Sequence, residues 1–300
     1  MDTVKVKAPA TIANLSCGYD ILGLCINEPY DEIEISKISK KEIILDVLDS
    51  EYSNIPSNPK ENTGGIPALL IKDKLNLDYG FKIKIKKGIP LCGGLGSSAA
   101  TAAGVVYGIN QLIENQMSLK DMVEFALEGE KLSSDTPHAD NIAPCLSGGL
   151  VLVKETYPLD LIQIPIGAFY LAIIHPEIEV NTKMAREMLP KTIKLDDAVK
   201  QWGNISALTY GFTVNDIEII KSSMKDFIVE PVRSKLIKGF SKIQCSAIKS
   251  GAIGSSISGS GPSIFALCEN KEQAQLTIDA MCGTAKQNGL EYQSYISSIN

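Results

Sequence analysis

Hydrophobic and polar residues alternate in several short stretches of the chain, which predicts β-strands with one buried face. In GFKIKIKKG, Phe81, Ile83 and Ile85 fall on one side of the strand and three lysines on the other. Strands are also predicted in VKVKAP, YDEIEIS, EIILDVLD, GLVLVK, AFYLAIIHP and EYQSYISS, and on both sides of the turn in GAIGSSISGSGPSIFALCE. Several of these patterns are typical of antiparallel sheets that have one solvated face.

Longer segments between the strands predict helices. They span residues 62–75, 97–115, 118–132, 182–189, 196–211, 215–226, 231–250 and 271–288. Ser118 and Asp121 have the spacing of a capping box, although that box usually has Glu or Gln at its second position. PHADNIAPCLSGG is predicted to be a compact connection. Because strands and helices mix without regular βαβ repetition, we predict an α+β fold in two domains, residues 1–155 and 156–300.

Composition and charge exclude several classes of protein. The net charge is −6 and the pI about 5.2, so no overall basic field would attract nucleic acid or an anionic membrane. No apolar run approaches the roughly 20 residues that span a bilayer, and the N-terminus lacks the layout of a signal peptide. The seven cysteines include no C-x-x-C pair. We therefore expect a cytoplasmic protein with reduced thiols that binds neither nucleic acid nor membrane.

The most informative segment is the glycine-rich turn PLCGGLGSSAATAAG, which leads from a strand into a predicted helix. Small residues at a helix N-terminus let backbone N–H groups converge on an anion such as phosphate. The turn lacks the lysine of a Walker loop, and its GLGSSA segment also fits the dinucleotide fingerprint G-x-G-x-x-[GA]. A simple capping turn without a ligand is a third possibility.

The strand before the turn argues against a dinucleotide-binding fold. In that fold the first strand is covered on both faces and is nearly all apolar, whereas here alternate residues are lysines. This leaves a lysine-free phosphate loop, in which N–H groups and the helix dipole hold the anion and Ser97 and Ser98 add hydroxyl groups.

Six segments of the chain, in the right order, resemble the homoserine kinase family of the GHMP kinases. PLCGGLGSSAA resembles the phosphate-binding signature of the GHMP kinases, although Cys92 stands where that signature usually has a small Gly, Ser, Thr or Ala. SISGSGPSIFAL resembles their C-terminal glycine motif. ANLSCGYDILG, PHADNIAP, and NTKMAREMLP with EPVRSKLI resemble homoserine kinases in particular. The resemblance runs from Val4 to about Leu267 and so covers nearly the whole chain.

This resemblance implies a ribosomal-protein-like N-terminal domain that binds ATP and a ferredoxin-like C-terminal domain that completes the substrate site. It implies Mg²⁺ with ATP as the phosphoryl donor, and Ser98 and Glu130 as the metal ligands. The implied ATP-binding residues are Pro90, Leu91, Cys92, Gly93, Gly94, Leu95, Gly96, Ser97, Ser98, Ala99 and Ala100, with Asn62 and Lys87 near adenine.

The implied reaction is phosphorylation of the side-chain hydroxyl of L-homoserine, a step in threonine biosynthesis from aspartate. The resemblance places Arg186 and Arg233 on the substrate carboxylate, for which a guanidinium fork is well suited, and Asp20 on the α-ammonium. Asn14 and Asn141 match positions near the hydroxyl, and Thr182 and Gly259 complete the implied pocket. Structural roles stay open for each, since arginines often form surface ion pairs and Asp or Asn often caps turns and helices.

No general base is evident for this reaction. Many relatives have an Asp where HADN provides Asn141, and an amide does not accept a proton usefully. Asp140 is adjacent, but neighbours on a helix point in different directions, and His138 is expected to be structural. A loose transition state needs little early deprotonation, so alignment, Mg²⁺ and the glycine-loop donors would supply most of the rate enhancement.

Two other functions stay open at this stage. A related kinase for mevalonate, a sugar or shikimate would make poor use of Asp20, because those substrates lack an ammonium group. A binding protein without turnover would be expected to have lost Ser98, Glu130 or the glycines, and all are present. The family also suggests a homodimer.

Overall fold

The first sheet is built around one long central strand. The computed structural model describes residues 2–48, 55–132, 138–178 and 180–299. The strands of this sheet are β1 (Thr3–Ala13), β2 (Leu22–Ile38), β3 (Ile43–Leu48), β4 (Gly80–Lys86), β5 (Leu150–Thr156) and β6 (Leu159–Ile164). Antiparallel β1 lies along one edge of β2, while β4 and β5 share the other edge. Strand β3 is parallel to β4, and β6 pairs with β5.

Among the residues that the structure describes, four helices accompany the first sheet: α1 (Gly65–Lys74), α2 (Ser97–Leu112), α3 (Leu119–Glu130) and α4 (Ala139–Ser147). The predicted capping box is present, since Asp121 N donates to Ser118 Oγ at 3.2 Å and Ser118 N donates to an Asp121 carboxylate oxygen at 3.0 Å. The prediction of a compact connection was wrong from Ala139 onward, because this segment is helical despite Pro144. Burial of Ile142 and Ala143 stabilises the helix.

The second sheet is four-stranded and antiparallel. Its strands are β7 (Tyr170–Pro176), β8 (Gly254–Ile257), β9 (Ile264–Cys268) and β10 (Tyr292–Ser298), in the order β10-β7-β9-β8. Leu171 and Ile173 of β7 belong to the hydrophobic core that includes the first sheet. Ala172 and Ile174, on the opposite face, belong to a second core. Both faces of this sheet are therefore buried.

In the described part of the second half of the chain there are six helices. They are α5 (Thr182–Glu187), α6 (Leu195–Val214), α7 (Ile217–Ser223), α8 (Glu230–Arg233), α9 (Phe240–Lys249) and α10 (Lys271–Gln287), with a 3₁₀ turn at Ser234–Leu236. The helix expected over residues 231–250 is thus broken. Gly239, at φ 77°, adopts a left-handed conformation at the start of α9, which a continuous helix does not allow. None of the described helices is long and apolar enough to cross a membrane.

The α+β class and the two-part organisation are confirmed. Strand β6 was not predicted, and its pairing with β5 continues the first sheet to Ile164. The division at residue 155 stays a prediction, although sheet pairing alone would place the boundary after that hairpin. The last strand joins the second sheet and also reaches the first, through a bridge between Ile26 and Ile299.

Candidate functional site

A cavity of about 330 Å³ opens between the N-terminal end of α2, helix α4 and the C-terminal glycine turn. Most of the residues that the sequence singled out line it: Asn14, Asp20, Asn62, Lys87, Leu91, Cys92, Gly93, Gly94, Gly96, Ser97, Ser98, Ala99, Glu130, Asn141, Thr182, Arg233 and Gly259. Pro90, Leu95, Ala100 and Arg186 are not among the lining residues. The structure thus brings residues of all six of these sequence segments to one place.

The glycine loop needs its glycines for both conformation and contact. Gly94 and Gly96 have φ values of 73° and 68°, and Gly96 immediately precedes α2. A Cβ on Gly94 would lie 2.2 Å from the carbonyl oxygen of Ser258, and one on Gly96 would lie 2.2 Å from Thr11 Oγ1. The first N–H groups of a helix have no intrahelical acceptor, so the start of α2 offers donors and a positive dipole end to an anion.

A buried ion pair lies beneath this loop. Lys87 Nζ pairs with Asp31 and also donates to Ser97 O and Thr101 Oγ1, each at 2.8 Å. Asp31 accepts two further hydrogen bonds from the backbone N–H groups of Gly88 and Ile89. Burial lowers the pKa of Lys87, and the charge of Asp31 opposes that effect. The adenine contact suggested for Lys87 stays a prediction, and its ammonium group is already engaged within the protein.

Asn62 is likewise engaged within the protein. Its Oδ1 accepts a hydrogen bond from Gly64 N at 2.9 Å, and its Nδ2 donates to Pro56 O at 2.8 Å. These bonds fix the turn that leads into α1. The side chain lines the cavity, so a contact with adenine stays a prediction.

The C-terminal glycine turn is hydrogen-bonded to the N-terminal substrate segment. Asn14 Nδ2 donates to Gly259 O at 3.0 Å, and Gly259 N donates to Ala13 O at 3.1 Å. Asn14 Oδ1 in turn accepts from Asp20 N at 3.1 Å. Asn14 therefore joins the two segments and positions Asp20 at the cavity wall.

Two arginines and one carboxylate form a charged cluster at this end of the cavity. Arg186 Nη2 donates to both carboxylate oxygens of Asp20, at 3.0 and 2.8 Å. Arg233 is only 4% exposed, and its Nη1 donates to Gly259 O at 2.8 Å. Among the ion pairs formed by the described residues, none involves Arg233. Burial lowers the pKa of Arg233, with the charges of Tyr19 and Asp20 opposing this.

Tyr19 lies beside both guanidinium groups. Its ring centroid is 5.6 Å from Arg186 Cζ and 5.1 Å from Arg233 Cζ, within the range of cation–π interactions. Sequence reasoning missed Tyr19, although it directly precedes Asp20 in the motif that carried the resemblance.

Thr182, at the start of α5, has its hydroxyl 3.4 Å from that of Ser260.

Helix α4 contributes Asp140 and Asn141 to the cavity. Asn141 Oδ1 accepts a hydrogen bond from Thr11 Oγ1 at 2.7 Å, which fixes the amide beside the glycine loop. Burial raises the pKa of Asp140 to about 6, the nearby charge of His138 opposes this, and Asp20 adds to it. A carboxyl group with such a pKa is a candidate proton acceptor. The absence of a general base therefore stays a prediction.

His138 lies between the charged cluster and Glu130. Its Nδ1 is 3.8 Å from a Glu130 carboxylate oxygen, and its Nε2 is 3.4 Å from Arg186 Nη2. Burial lowers the pKa of His138, but the interaction with Glu130 and the charges of Asp140 and Asp20 outweigh burial and raise it overall. The structural role expected for His138 stays a prediction.

The buried carboxylate of Glu130 and the hydroxyl of Ser98 both line the cavity. Over the described ranges, no group of three or more His, Cys, Asp or Glu side chains is placed to hold a metal ion. One carboxylate with a hydroxyl nevertheless suits Mg²⁺, which keeps several waters and is usually held jointly by a few protein oxygens and the nucleotide phosphates. The residues present therefore fit a nucleotide-bound Mg²⁺ better than a metal cage made by protein alone.

Comparisons with known proteins agree on one family. The family described as "GHMP kinases N terminal domain" matches residues 66–149, and "GHMP kinases C terminal" matches residues 208–287. A homoserine kinase of Chlorobium phaeobacteroides (strain BS1) is 40% identical over 292 residues, which cover 94% of this chain and 91% of that protein. A homoserine kinase of Methanococcus maripaludis (strain C5) is 40% identical over 268 residues, which cover 89% of this chain and 88% of that protein.

Solved structures extend this similarity to the fold. The crystal structure of homoserine kinase from Cytophaga hutchinsonii has a TM-score of 0.96 at 45% identity and covers 100% of this chain and 96% of its own. The L. major mevalonate kinase in complex with R-mevalonate has a TM-score of 0.75 at 15% identity, covering 99% of this chain and 96% of its own. The second similarity shows the fold alone.

Proposed function

Since this chain belongs to the homoserine kinase family of the GHMP kinases, we propose that its cavity binds Mg-ATP and L-homoserine and yields ADP and O-phospho-L-homoserine. The chain is an ATP-dependent kinase that phosphorylates homoserine. The observation that supports the assignment of residues is that the glycine loop, Asp20 and Arg233 line one cavity, with Arg186 bound to Asp20 behind that lining.

The charged cluster suits a zwitterionic amino acid. Arg233 is a buried cation that donates to the backbone carbonyls of Ala185 and Gly259 and lies against the Tyr19 ring. It forms no ion pair within the described residues, and such a group favours an anionic ligand. We assign the substrate carboxylate to Arg233 and Arg186, and the α-ammonium to Asp20. Thr182 and the carbonyl of Gly259 would border the same pocket.

The glycine loop suits the phosphates of ATP. Backbone N–H groups at the start of α2 would hold the phosphate oxygens, and the hydroxyls of Ser97 and Ser98 lie in the same turn. Ser98 and Glu130 would hold Mg²⁺, which neutralises charge on the phosphates when it is bound. The adenine base would lie toward Asn62 at the start of α1.

Asn141 would orient the attacking hydroxyl group. Its Oδ1 is fixed by Thr11, which leaves the Nδ2 group as a donor toward the substrate oxygen. This role requires no proton acceptor, since a loose phosphoryl-transfer transition state depends mainly on alignment and charge stabilisation. Asp140 is the alternative proton acceptor, and the Asp140→Asn variant discussed below distinguishes the two.

The test is ADP release by the purified protein with Mg-ATP across L-homoserine, L-threonine, L-serine, mevalonate, shikimate and galactose. We expect strong turnover with L-homoserine alone. Turnover with another alcohol would keep the phosphate loop and discard the zwitterion pocket. Binding of ATP with no turnover across the panel would identify a binding protein instead.

A further inference from the structure

Arg186 and Asp20, which the proposed function assigns to the carboxylate and the ammonium group of the substrate, bind each other in this structure. Arg186 Nη2 contacts both Asp20 oxygens at 3.0 and 2.8 Å, and about a third of each side chain is exposed. Each group therefore has to leave its partner, or share it, before it can bind a ligand.

We propose that Arg186 and Asp20 neutralise each other until a ligand separates them. This pairing makes the site selective for molecules that carry both a carboxylate and an ammonium group. A zwitterion returns one partner to each group, because its ammonium binds Asp20 while its carboxylate binds Arg186. A molecule with a carboxylate alone would separate the pair and leave Asp20 without a cation. A molecule with an ammonium group alone would bind Asp20 and leave Arg186 without an anion. Unpaired charges of this kind disfavour binding.

Two features of the cluster support this exchange. Arg233 already provides a second cation, held by the carbonyls of Gly259 and Ala185, so a carboxylate that draws Arg186 away from Asp20 arrives between two guanidinium groups. The ring centroid of Tyr19 lies 5.6 Å from Arg186 Cζ. The ring can therefore stabilise the guanidinium group by a cation–π interaction when that group leaves Asp20. The inference rests on the proposed function, because it takes the amino-acid site as given.

The test measures dissociation constants by calorimetry for two fragments of homoserine. 4-Hydroxybutanoate lacks the ammonium group, and 3-aminopropan-1-ol lacks the carboxylate. In Asp20→Asn, Arg186 is released, so we expect 4-hydroxybutanoate to bind on the order of tenfold more tightly than to the unaltered protein. In Arg186→Gln we expect the same gain for 3-aminopropan-1-ol. L-Homoserine should bind more weakly to both variants.

A gain of affinity separates this proposal from simple damage, because a misfolded site loses affinity for every ligand. Arg233→Gln is the matched control: it removes a cation that is not paired with Asp20, so it should weaken 4-hydroxybutanoate and strengthen neither fragment. Failure of both fragments to gain affinity in the paired variants would overturn the proposal. Failure of the unaltered protein to turn over L-homoserine would instead overturn the proposed function.

Discussion

Cys92 holds a backbone conformation that suits glycine better. Its φ is 52°, and a left-handed conformation costs a residue with a side chain about 1–2 kcal/mol. Replacement by glycine removes this cost, but part of the gain is lost because glycine loses more chain entropy on folding. We expect Cys92→Gly to raise the free energy of unfolding by about 0.5–1 kcal/mol. Urea unfolding at an unchanged m-value measures it.

Cys245 provides the control for this change. It is also exposed but lies within α9, where replacement by glycine should lower the free energy of unfolding by about 0.5–1 kcal/mol. The two substitutions should thus differ in sign. A loss of stability in both would show that the Cys92 side chain makes contacts that outweigh its backbone strain.

Asp140 should make the folded protein less stable as the pH rises. Burial raises its folded pKa to about 6 from 3.8, so between these values the unfolded chain releases a proton that the folded protein retains. Asp140→Asn removes this penalty, which is on the order of 2–3 kcal/mol above pH 6 and absent below pH 4. Urea unfolding of both proteins at pH 4 and pH 8 tests it.

The same variant tests the chemistry. If alignment by Asn141 suffices, Asp140→Asn should change kcat little at pH 8, whereas Asn141→Ala should lower it. A collapse of kcat in a folded Asp140→Asn protein would identify Asp140 as the general base.

At the scale of elements, Lys87 connects the end of β4 to β2 through its ion pair with Asp31. It also connects β4 to the first turn of α2 through its hydrogen bond to Ser97 O. Removing one partner leaves an uncompensated buried charge, so Lys87→Met should lower the free energy of unfolding by about 3–5 kcal/mol. The neighbouring Lys86 pairs with Glu32 at the surface, and because solvent screens this pair, Lys86→Met should lower the free energy of unfolding far less. Equal effects in both variants would contradict a special role for the buried pair.

The alternation of residues in the sequence does indicate this pair, although a pattern of neighbouring residues alone does not identify it. Asp31 is in phase with the buried Ile33 and Ile35, and Lys87 is in phase with Ile83 and Ile85. Alternation alone therefore points both charged side chains inward. A charged side chain is expected to point inward only where an opposite charge lies beside it. Here that partner is 56 residues away in the chain, so a pattern read over a few neighbouring residues does not include it.

Elements fixed by neighbours in sequence were predicted well, and those fixed by distant contacts were not. The capping box of Ser118 depends on a residue three positions away, and it formed as expected. Helix α4 contains a proline, and the 231–250 segment contains a left-handed glycine. Whether such residues end a helix depends on burial against other elements, which the local pattern does not record.

Across the whole molecule, the two sheets share one hydrophobic core. Leu171, Ile173, Phe265 and Leu267 of the second sheet belong to the cluster that fills the first. We therefore expect a single cooperative thermal transition, with calorimetric and van't Hoff enthalpies that agree. Two resolved transitions would show that the sheets unfold independently. Mg-ATP with L-homoserine should shift the transition upward as one unit.

The ordered motifs predicted which residues share the site, but not how they contact one another. Asp20 and Arg186 are 166 residues apart, and the resemblance assigned them to two different charged groups of the ligand. Their direct contact depends on how the α5 segment lies against the N-terminal loop, which is a property of the assembled molecule.

The Gly259 turn has a consequence for how the two ligands affect each other. Its carbonyl accepts hydrogen bonds from Asn14 and Arg233 at the amino-acid end, while the adjacent Ser258 hydroxyl donates to Gly94 O in the phosphate loop at 2.6 Å. Adjacent residues of one turn therefore join the two ends of the cavity. Such sites are thermodynamically reciprocal: whatever factor homoserine adds to the affinity for nucleotide, the nucleotide must add to the affinity for homoserine.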